Sequence, residues 1–91
     1  MNVIDLEERF IDAALCGDLG QMNRVLQDGR VNPACRNNQA IKVASMSGWL
    51  FIVERLLQDG RVNPAAGDND AIRRASAKGR LSVVERLLQD G

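Results

Sequence analysis

Side chains that exchange protons, attack carbonyl carbon or hold metals are scarce in this 91-residue sequence. It contains no histidine and no tyrosine, so neither a Ser–His–Asp nor a Cys–His arrangement can be assembled. Its two cysteines, Cys16 and Cys35, have no imidazole and no further thiol to complete a zinc site. Asp68 and Asp70 are near-neighbour carboxylates, but without convergent ligands they read as a solvated turn. No Gly-x-x-x-x-Gly-Lys-Ser/Thr loop is present to cradle a phosphate. Catalysis, a resident metal, a cofactor and a small-molecule substrate are therefore not expected. The chemistry that remains is recognition.

For recognition the sequence offers one tryptophan and an uneven distribution of charge. Trp49 is the only Trp, and Met46 stands one helical turn before it. Trp is enriched among the energetic anchors of interfaces. The competing reading is that Trp49 covers its neighbours inside the fold. Residues 1–20 carry Asp5, Glu7, Glu8, Asp12 and Asp18 against Arg9 alone, whereas Arg73, Arg74, Lys78 and Arg80 gather near the other end. That basic group would suit an acidic segment of a partner protein, or it is a solvated helix face. Over the whole chain 12 Lys+Arg balance 12 Asp+Glu, so there is no net basic field to hold nucleic acid or a membrane surface. The stretch A-S-M-S-G-W-L-F-I-V at 44–53 resembles a DNA-binding helix-turn-helix. Its second helix, however, is largely apolar and carries acidic Glu54, which suits packing better than phosphate contact.

The elements that must position these residues repeat. QDGRVNPA occurs at 27–34 and again at 58–65, and QDG returns at 89–91. Gly17, Gly48 and Gly79 share one offset, as do Ala13, Ala44 and Ala75, and Leu26, Leu57 and Leu88, always 31 residues apart. Each unit reads as two helices and a loop. Ile41, Ala44 and Ser45, like Ile72, Ala75 and Ser76, fall at helical spacing. Asn38 and Asn69 are placed to cap these first helices, and Gly48 and Gly79 to end them. Second helices follow in LFIVERLLQD and LSVVERLLQD, with an apolar face at 50, 53, 56 and 57 and a stop at Gly60. Pro64 then enforces an extended connection. A pair of short helices cannot bury its own apolar side, and stacking similar pairs buries a continuous one. The expected fold is all-α: one domain over 1–91, with helix–turn–helix units at about 1–29, 30–60 and 61–91.

D-A-I-R-R-A-S-A-K-G followed by V-V-E-R-L-L-Q-D-G, with R-V-N after the equivalent stretch of unit two, resembles the ankyrin repeat, whose period is near 33. Ala75, Gly79, Val83, Val84, Leu87 and Leu88 match the family pattern directly, and Ile72 stands where the family has Leu. The units are two residues shorter than that period, which implies a shorter turn finger. The family's Thr-Pro is replaced by Gln39-Ala40 and Asp70-Ala71, and its His by Lys42 and Arg73. The usual Thr–His tie is therefore absent, which implies a less rigid finger. This shortened variant is similar to ankyrin arrays of protists and of the large DNA viruses of amoebae. The resemblance implies an ankyrin-type solenoid that binds another protein through a concave face built from fingers and first helices. Carried onto this chain, that face holds Arg36, Lys42, Met46, Asp70, Arg73, Arg74 and Lys78, with Trp49 and Arg80 beside it.

The two ends differ. Unit one has Arg9 where the others have Ala40 and Ala71, Gln21 where they have Ile52 and Val83, and Asp12 where they have Val43 and Arg74. Polar residues at interior positions imply a face turned to water and Met1 as the start of the fold. Unit three keeps its apolar pattern up to Gly91, the counterpart of Gly60. Its end is expected to be a cut in a longer array, a surface for self-association or a frayed helix. No apolar run approaches the roughly 20 residues of a membrane span, and the first residues lack the pattern of a secretion signal. Free thiols imply a reducing compartment, the cytoplasm, or the host cytoplasm if the source is viral.

Overall fold

The computed structural model describes residues 2–90, so Met1 and Gly91, read above as the start of the fold and the counterpart of Gly60, lie outside the described residues. It contains six α-helices and, among the described residues, no strand: α1 (Val3–Cys16), α2 (Leu19–Asp28), α3 (Cys35–Ser47), α4 (Leu50–Leu57), α5 (Ala66–Ala77) and α6 (Leu81–Asp90). The fold is all-α. Each odd-numbered helix packs against the even-numbered helix that follows it, and α3 lies between α1 and α5. The result is elongated, 36 × 21 × 18 Å.

A single apolar core runs along this row. Phe10, Met22, Ile41, Ile52, Val53, Leu56 and Val83 are essentially inaccessible. Fully burying a side chain of this size stabilises by about 1.5–3 kcal/mol. At the close contact between first helices the residues are small: Ala13, Ala14, Ala40, Ala44, Ala71 and Ala75 are all buried. In unit one, Arg9 and Asp12 are exposed, as expected of residues turned to water, and Gln21 is half-buried.

The loops after α2 and α4 fold by one local rule. Asn32 Oδ1 accepts from the Ala34 N–H at 2.9 Å and Asn63 Oδ1 from the Ala65 N–H at 3.0 Å, so each Asn closes a turn over its proline. Val31 and Val62 drop into the core beside these turns. Before each turn the Asp-Gly-Arg run pairs with itself, Arg30 Nε with Asp28 at 2.7 Å and Arg61 Nη2 with Asp59 at 2.9 Å. The Arg61 guanidinium holds the Asp59 carboxyl down at about 2.

Two expectations about helix ends need correcting. Gly60 does not end α4, which stops at Leu57. The chain tightens there through Asp59 N–H to the Leu56 carbonyl (3.1 Å) and Val62 N–H to the Asp59 carbonyl (3.1 Å), and Gly60 is not among the left-handed glycines. Nor does Asn38 or Asn69 cap a first helix. Arg36, Asn37 and Asn38 have φ of 54°, 57° and 60°, and Gly67, Asp68 and Asn69 have 67°, 59° and 64°. Each finger is thus one left-handed turn leading into a right-handed helix. For non-glycine residues this conformation costs about 1–2 kcal/mol each, least for Asn and Asp. Part of the offset is a bond to the next unit: Asn38 is buried, and its Oδ1 accepts from the Asn63 N–H at 2.8 Å. Asn69, at the same place one unit later, is exposed.

Three expected outcomes follow from this packing. Asn38→Ala leaves the Asn63 N–H without its acceptor and should cost about 1–3 kcal/mol in urea unfolding, whereas Asn69→Ala should stay within about 0.5 kcal/mol. Ser45 is fully buried, its hydroxyl has no partner, and the equivalent residue of unit one is the buried Ala14. Ser45→Ala should therefore stabilise by about 1 kcal/mol, read as a rise in the urea midpoint. Asp59 titrates below its unfolded value near 3.8, so its contribution is complete above that value and is lost as pH falls toward about 2. Between those pH values, Asp59→Asn should flatten the fall of the unfolding midpoint relative to wild type.

Candidate protein interaction surface

The helix-ending glycines organise the contact between units. Gly17, Gly48 and Gly79 have φ of 77°, 83° and 71°, the left-handed conformation that closes a helix and that glycine adopts without strain. In each unit the next residue's N–H then returns to an alanine carbonyl five residues back: Asp18 to Ala13 (2.9 Å), Trp49 to Ala44 (3.1 Å) and Arg80 to Ala75 (2.9 Å). This repeated turn fixes where the side chain after glycine points.

In units two and three that side chain lies back on the preceding unit. Trp49 Nε1 donates to the Leu15 carbonyl at 2.8 Å, and Arg80 Nε donates to the Met46 carbonyl at 3.1 Å. Both bonds span 34 residues and lie 31 residues apart, so an indole and a guanidinium perform the same act in successive units. Both side chains also cover the preceding glycine. A Cβ on Gly17 would lie 2.8 Å from the Trp49 ring, and one on Gly48 would lie 2.7 Å from Arg80 Cδ. These glycines are thus needed twice, for the left-handed turn and for the close approach. Asp18 holds the equivalent place in unit one but caps α2 instead, accepting from the Gln21 N–H at 3.0 Å.

The residues expected to bind a partner divide into two groups. Trp49, Arg80 and the half-buried Met46, whose carbonyl Arg80 uses, lie at the glycine end of the first helices. Trp49 is half-buried over Gly17, so it does cover its neighbours. Its ring also meets Phe51, with centroids 6.0 Å apart. Phe51 (45% exposed) and Leu15 (46%) extend this spot into an apolar strip. Arg36 and Asp70 lie at the finger end, while Lys42, Arg73 and Arg74 stand on the first helices, Lys42 and Arg74 about 6 Å, one helical turn, before Met46 and Lys78. Lys78 is exposed just after α5, on the glycine side.

At the finger end most of the charge is engaged within the fold. Arg73 donates to the carbonyls of Gly67 (3.0 Å) and Asp68 (3.1 Å), tying down its own finger. The lack of a Thr–His pair therefore does not leave this finger untied. Arg74 Nε meets Asp70 at 3.0 Å, and Arg36 Nε meets Glu7 at 3.5 Å. The stem of Lys42 is buried beneath the second finger, with its Nζ 3.1 Å from where a Cβ on Gly67 would stand. The outward-facing charge of this group is carried by Arg73, Arg74 and Arg36, each paired at the surface yet open to solvent.

Cys16 is exposed and Cys35 half-buried, both free, and burial pushes the Cys35 thiol up, with the Glu7 carboxylate adding to the effect. Among the described residues no group of His, Cys, Asp and Glu side chains gathers as metal ligands would. Comparison with known families, curated proteins and solved structures finds no match for this chain.

Sequence reasoning singled out Trp49 and Arg80 but missed their targets, the Leu15 and Met46 carbonyls over Gly17 and Gly48. The available signal was that the residue after glycine is an N–H donor in units two and three and an acid in unit one. The covering of the glycines yields an ordered expectation. Gly79→Ala meets only the backbone cost of about 1–2 kcal/mol, since nothing lies within 4 Å of its Cβ position. Gly48→Ala must also displace the flexible Arg80 stem, and Gly17→Ala the rigid Trp49 ring. Unfolding free energies should fall in the order Gly79→Ala, Gly48→Ala, Gly17→Ala, the last being the most destabilised.

Proposed function

We propose that this chain is an ankyrin-type repeat array serving as a binding or scaffolding module, which holds another protein by surface complementarity and carries out no turnover. The observation that carries this reading is the pair of equivalent bonds from Trp49 and Arg80. Two unlike side chains make one bond in successive units, so the backbone frame is kept while residue identity varies. A frame that fixes the backbone and leaves surface side chains free is what a recognition scaffold requires. In unit three Arg73 and Lys78 are exposed and Arg74 is half-buried, whereas at the same places unit two has Lys42 and Val43, both buried, and the half-buried Ser47. The partner in this reading presents an acidic segment to the Arg73, Arg74 and Lys78 row.

A second reading, an architectural stack that assembles with itself, is favoured by one observation: Leu81 is 72% and Leu88 64% exposed on the last helix. The free thiols fit a reducing compartment such as the cytoplasm. No helix among the described residues is long and apolar enough to cross a membrane.

The test is a comparison of immobilised wild type with Arg73→Glu/Arg74→Glu/Lys78→Glu, offered the same native extract. A protein retained by wild type and reduced at least tenfold on the variant supports the reading, provided helical circular dichroism is unchanged. Identical retained profiles overturn it. Trp49→Arg, which keeps an N–H donor over Gly17, separates a binding role of the indole from its structural one.

A further inference from the structure

Unit two has a neighbour on either side, so what it leaves exposed is a lateral surface of the stack. On that surface Phe51 is the one large apolar side chain in the open among the described residues, at 45%. Packing does not require it, because the same place holds Gly20 in unit one and Ser82 in unit three, both exposed. Its ring meets that of Trp49 with centroids 6.0 Å apart and planes inclined at 60°, so the two rings form a corner. The bond from Trp49 to the Leu15 carbonyl holds one wall of that corner in place. Charge of opposite sign stands on its two sides. Asp18 follows Gly17, which the Trp49 ring covers, and the Arg80 stem lies on Gly48, the residue before Trp49. Both are exposed, and neither forms an ion pair among the described residues, unlike the Asp28, Asp59 and Asp70 carboxylates. Asp18 uses Oδ1 to cap α2 and Arg80 uses Nε on the Met46 carbonyl, which leaves Oδ2 of the one and both Nη groups of the other for a partner. Of the other charges on α4, Arg55 is engaged with Asn23, and Glu54 lines the groove toward α6 with Glu85 and Arg86.

We propose that this surface docks an extended segment of a partner protein, which sets one large apolar side chain in the Trp49–Phe51 corner, a Lys or Arg against Asp18 and an Asp or Glu against Arg80. The occupant follows from charge complementarity. A purely acidic segment is opposed by Asp18 and a purely basic one by Arg80, so a segment carrying one charge of each sign is selected over both. An aromatic anchor rimmed by polar and charged groups is the usual anatomy of a binding hot spot. Spacing sets the length of the segment. Packed helices lie about 8–10 Å apart, and Arg80 reaches back over unit two, so the two charges stand about one unit from each other. In an extended chain alternate side chains share one side, and base, apolar and acidic residues at every second position span about 13 Å. A helical partner would need a groove for apolar residues at several successive turns, whereas this surface offers a single apolar step. The inference rests on the binding-module reading above and places the apolar anchor at the glycine end, on Phe51 as well as Trp49.

The probe is the peptide Gly-Ser-Lys-Gly-Phe-Gly-Asp-Ser-Gly, acetylated and amidated so that its ends are uncharged. Trp49 is the only tryptophan, so its emission and its indole N–H resonance read the site directly. Millimolar peptide should shift both saturably in wild type. Replacing the peptide's Phe by Ala should weaken binding about tenfold, and replacing its charge pair by Lys/Lys or by Asp/Asp should weaken it about fivefold. On the protein side, Phe51→Ser, which installs the residue unit three has at that place, should weaken binding about tenfold with helical circular dichroism unchanged. Asp18→Asn keeps an acceptor for the α2 cap and should remove the advantage of the Lys/Asp peptide over the Asp/Asp one. No saturable response of Trp49 in wild type overturns the proposal. So do equal affinities for the three charge forms, or a folded Phe51→Ser that binds as wild type does. The peptide comparisons use wild type alone and so do not depend on whether a variant folds. Arg73→Glu/Arg74→Glu, on the row tested by extract capture, should bind the probe unchanged, so failure of the acidic-partner reading and failure of this site appear in different measurements.

Discussion

At the ends of α1 and α3 a left-handed glycine leaves backbone bare, and the next pair of helices lays a side chain across it. Much of the rest follows from that contact. Helices of 8–14 residues in pairs have too little surface to bury an apolar side by themselves, and a free-standing helix of this length is marginal in water. Each pair is held because its neighbour covers Ile41, Val53 and the alanines between first helices, and because Trp49 or Arg80 closes the glycine end. The glycine admits the approach, and the N–H donor after the next glycine completes it. In unit one the same position holds Asp18, which serves its own helix instead.

The finger end is built on the opposite economy. Three consecutive left-handed residues are unfavourable, and unit three lowers the cost by starting its turn with Gly67 where unit two uses Arg36. The turn persists because the surrounding groups determine it. Asn38 accepts from the loop of the next unit, and Arg73 gathers the carbonyls of its own. The basic residues at this end therefore have two duties, since the guanidiniums that hold the fingers also face solvent. Mutual pairing of Arg74 with Asp70 softens the charge they present without removing it, because exposed ion pairs are weak and exchange readily with other anions.

The helices, their order and the role of Gly17, Gly48 and Gly79 were legible in the sequence because a period of 31 residues exposes the apolar positions shared by all units. The polar exposed face of unit one was legible for the same reason: Arg9 and Asp12 break a pattern that the other units establish. What could not be read was anything set by contact between units. Asn38 precedes a helix and has the right residue type for a cap, yet its carboxamide is drawn to Asn63 because the loop of the next unit presents an unpaired N–H there. Gly60 follows a helix and has the right type for a stop, yet the Asp59–Val62 turn closes first. At Asn38 the local preference was outweighed by a bond between units, and at Gly60 by a competing local turn. The candidate surface suffered similarly. Composition and offset identified Trp49, Arg73 and Arg80, but their partners are backbone carbonyls, which no residue type announces.

The two closures at the glycine end are alike in geometry but unequal in strength. An indole has two rotatable bonds and a broad apolar face, so Trp49 seals Gly17 with little loss of freedom and buries a large area in doing so. A guanidinium on a flexible stem gives up more conformational freedom for one hydrogen bond, and Arg80 remains exposed above Gly48. The ladder between fingers is unequal in the same direction: Asn38 is satisfied by unit three, while nothing in the described chain engages Asn69. Covered apolar area, closure and finger tie thus all weaken from α1 toward α6. Local opening of a fold is governed by how much buried contact an element must give up. Among the described residues, unit three should therefore separate before units one and two do.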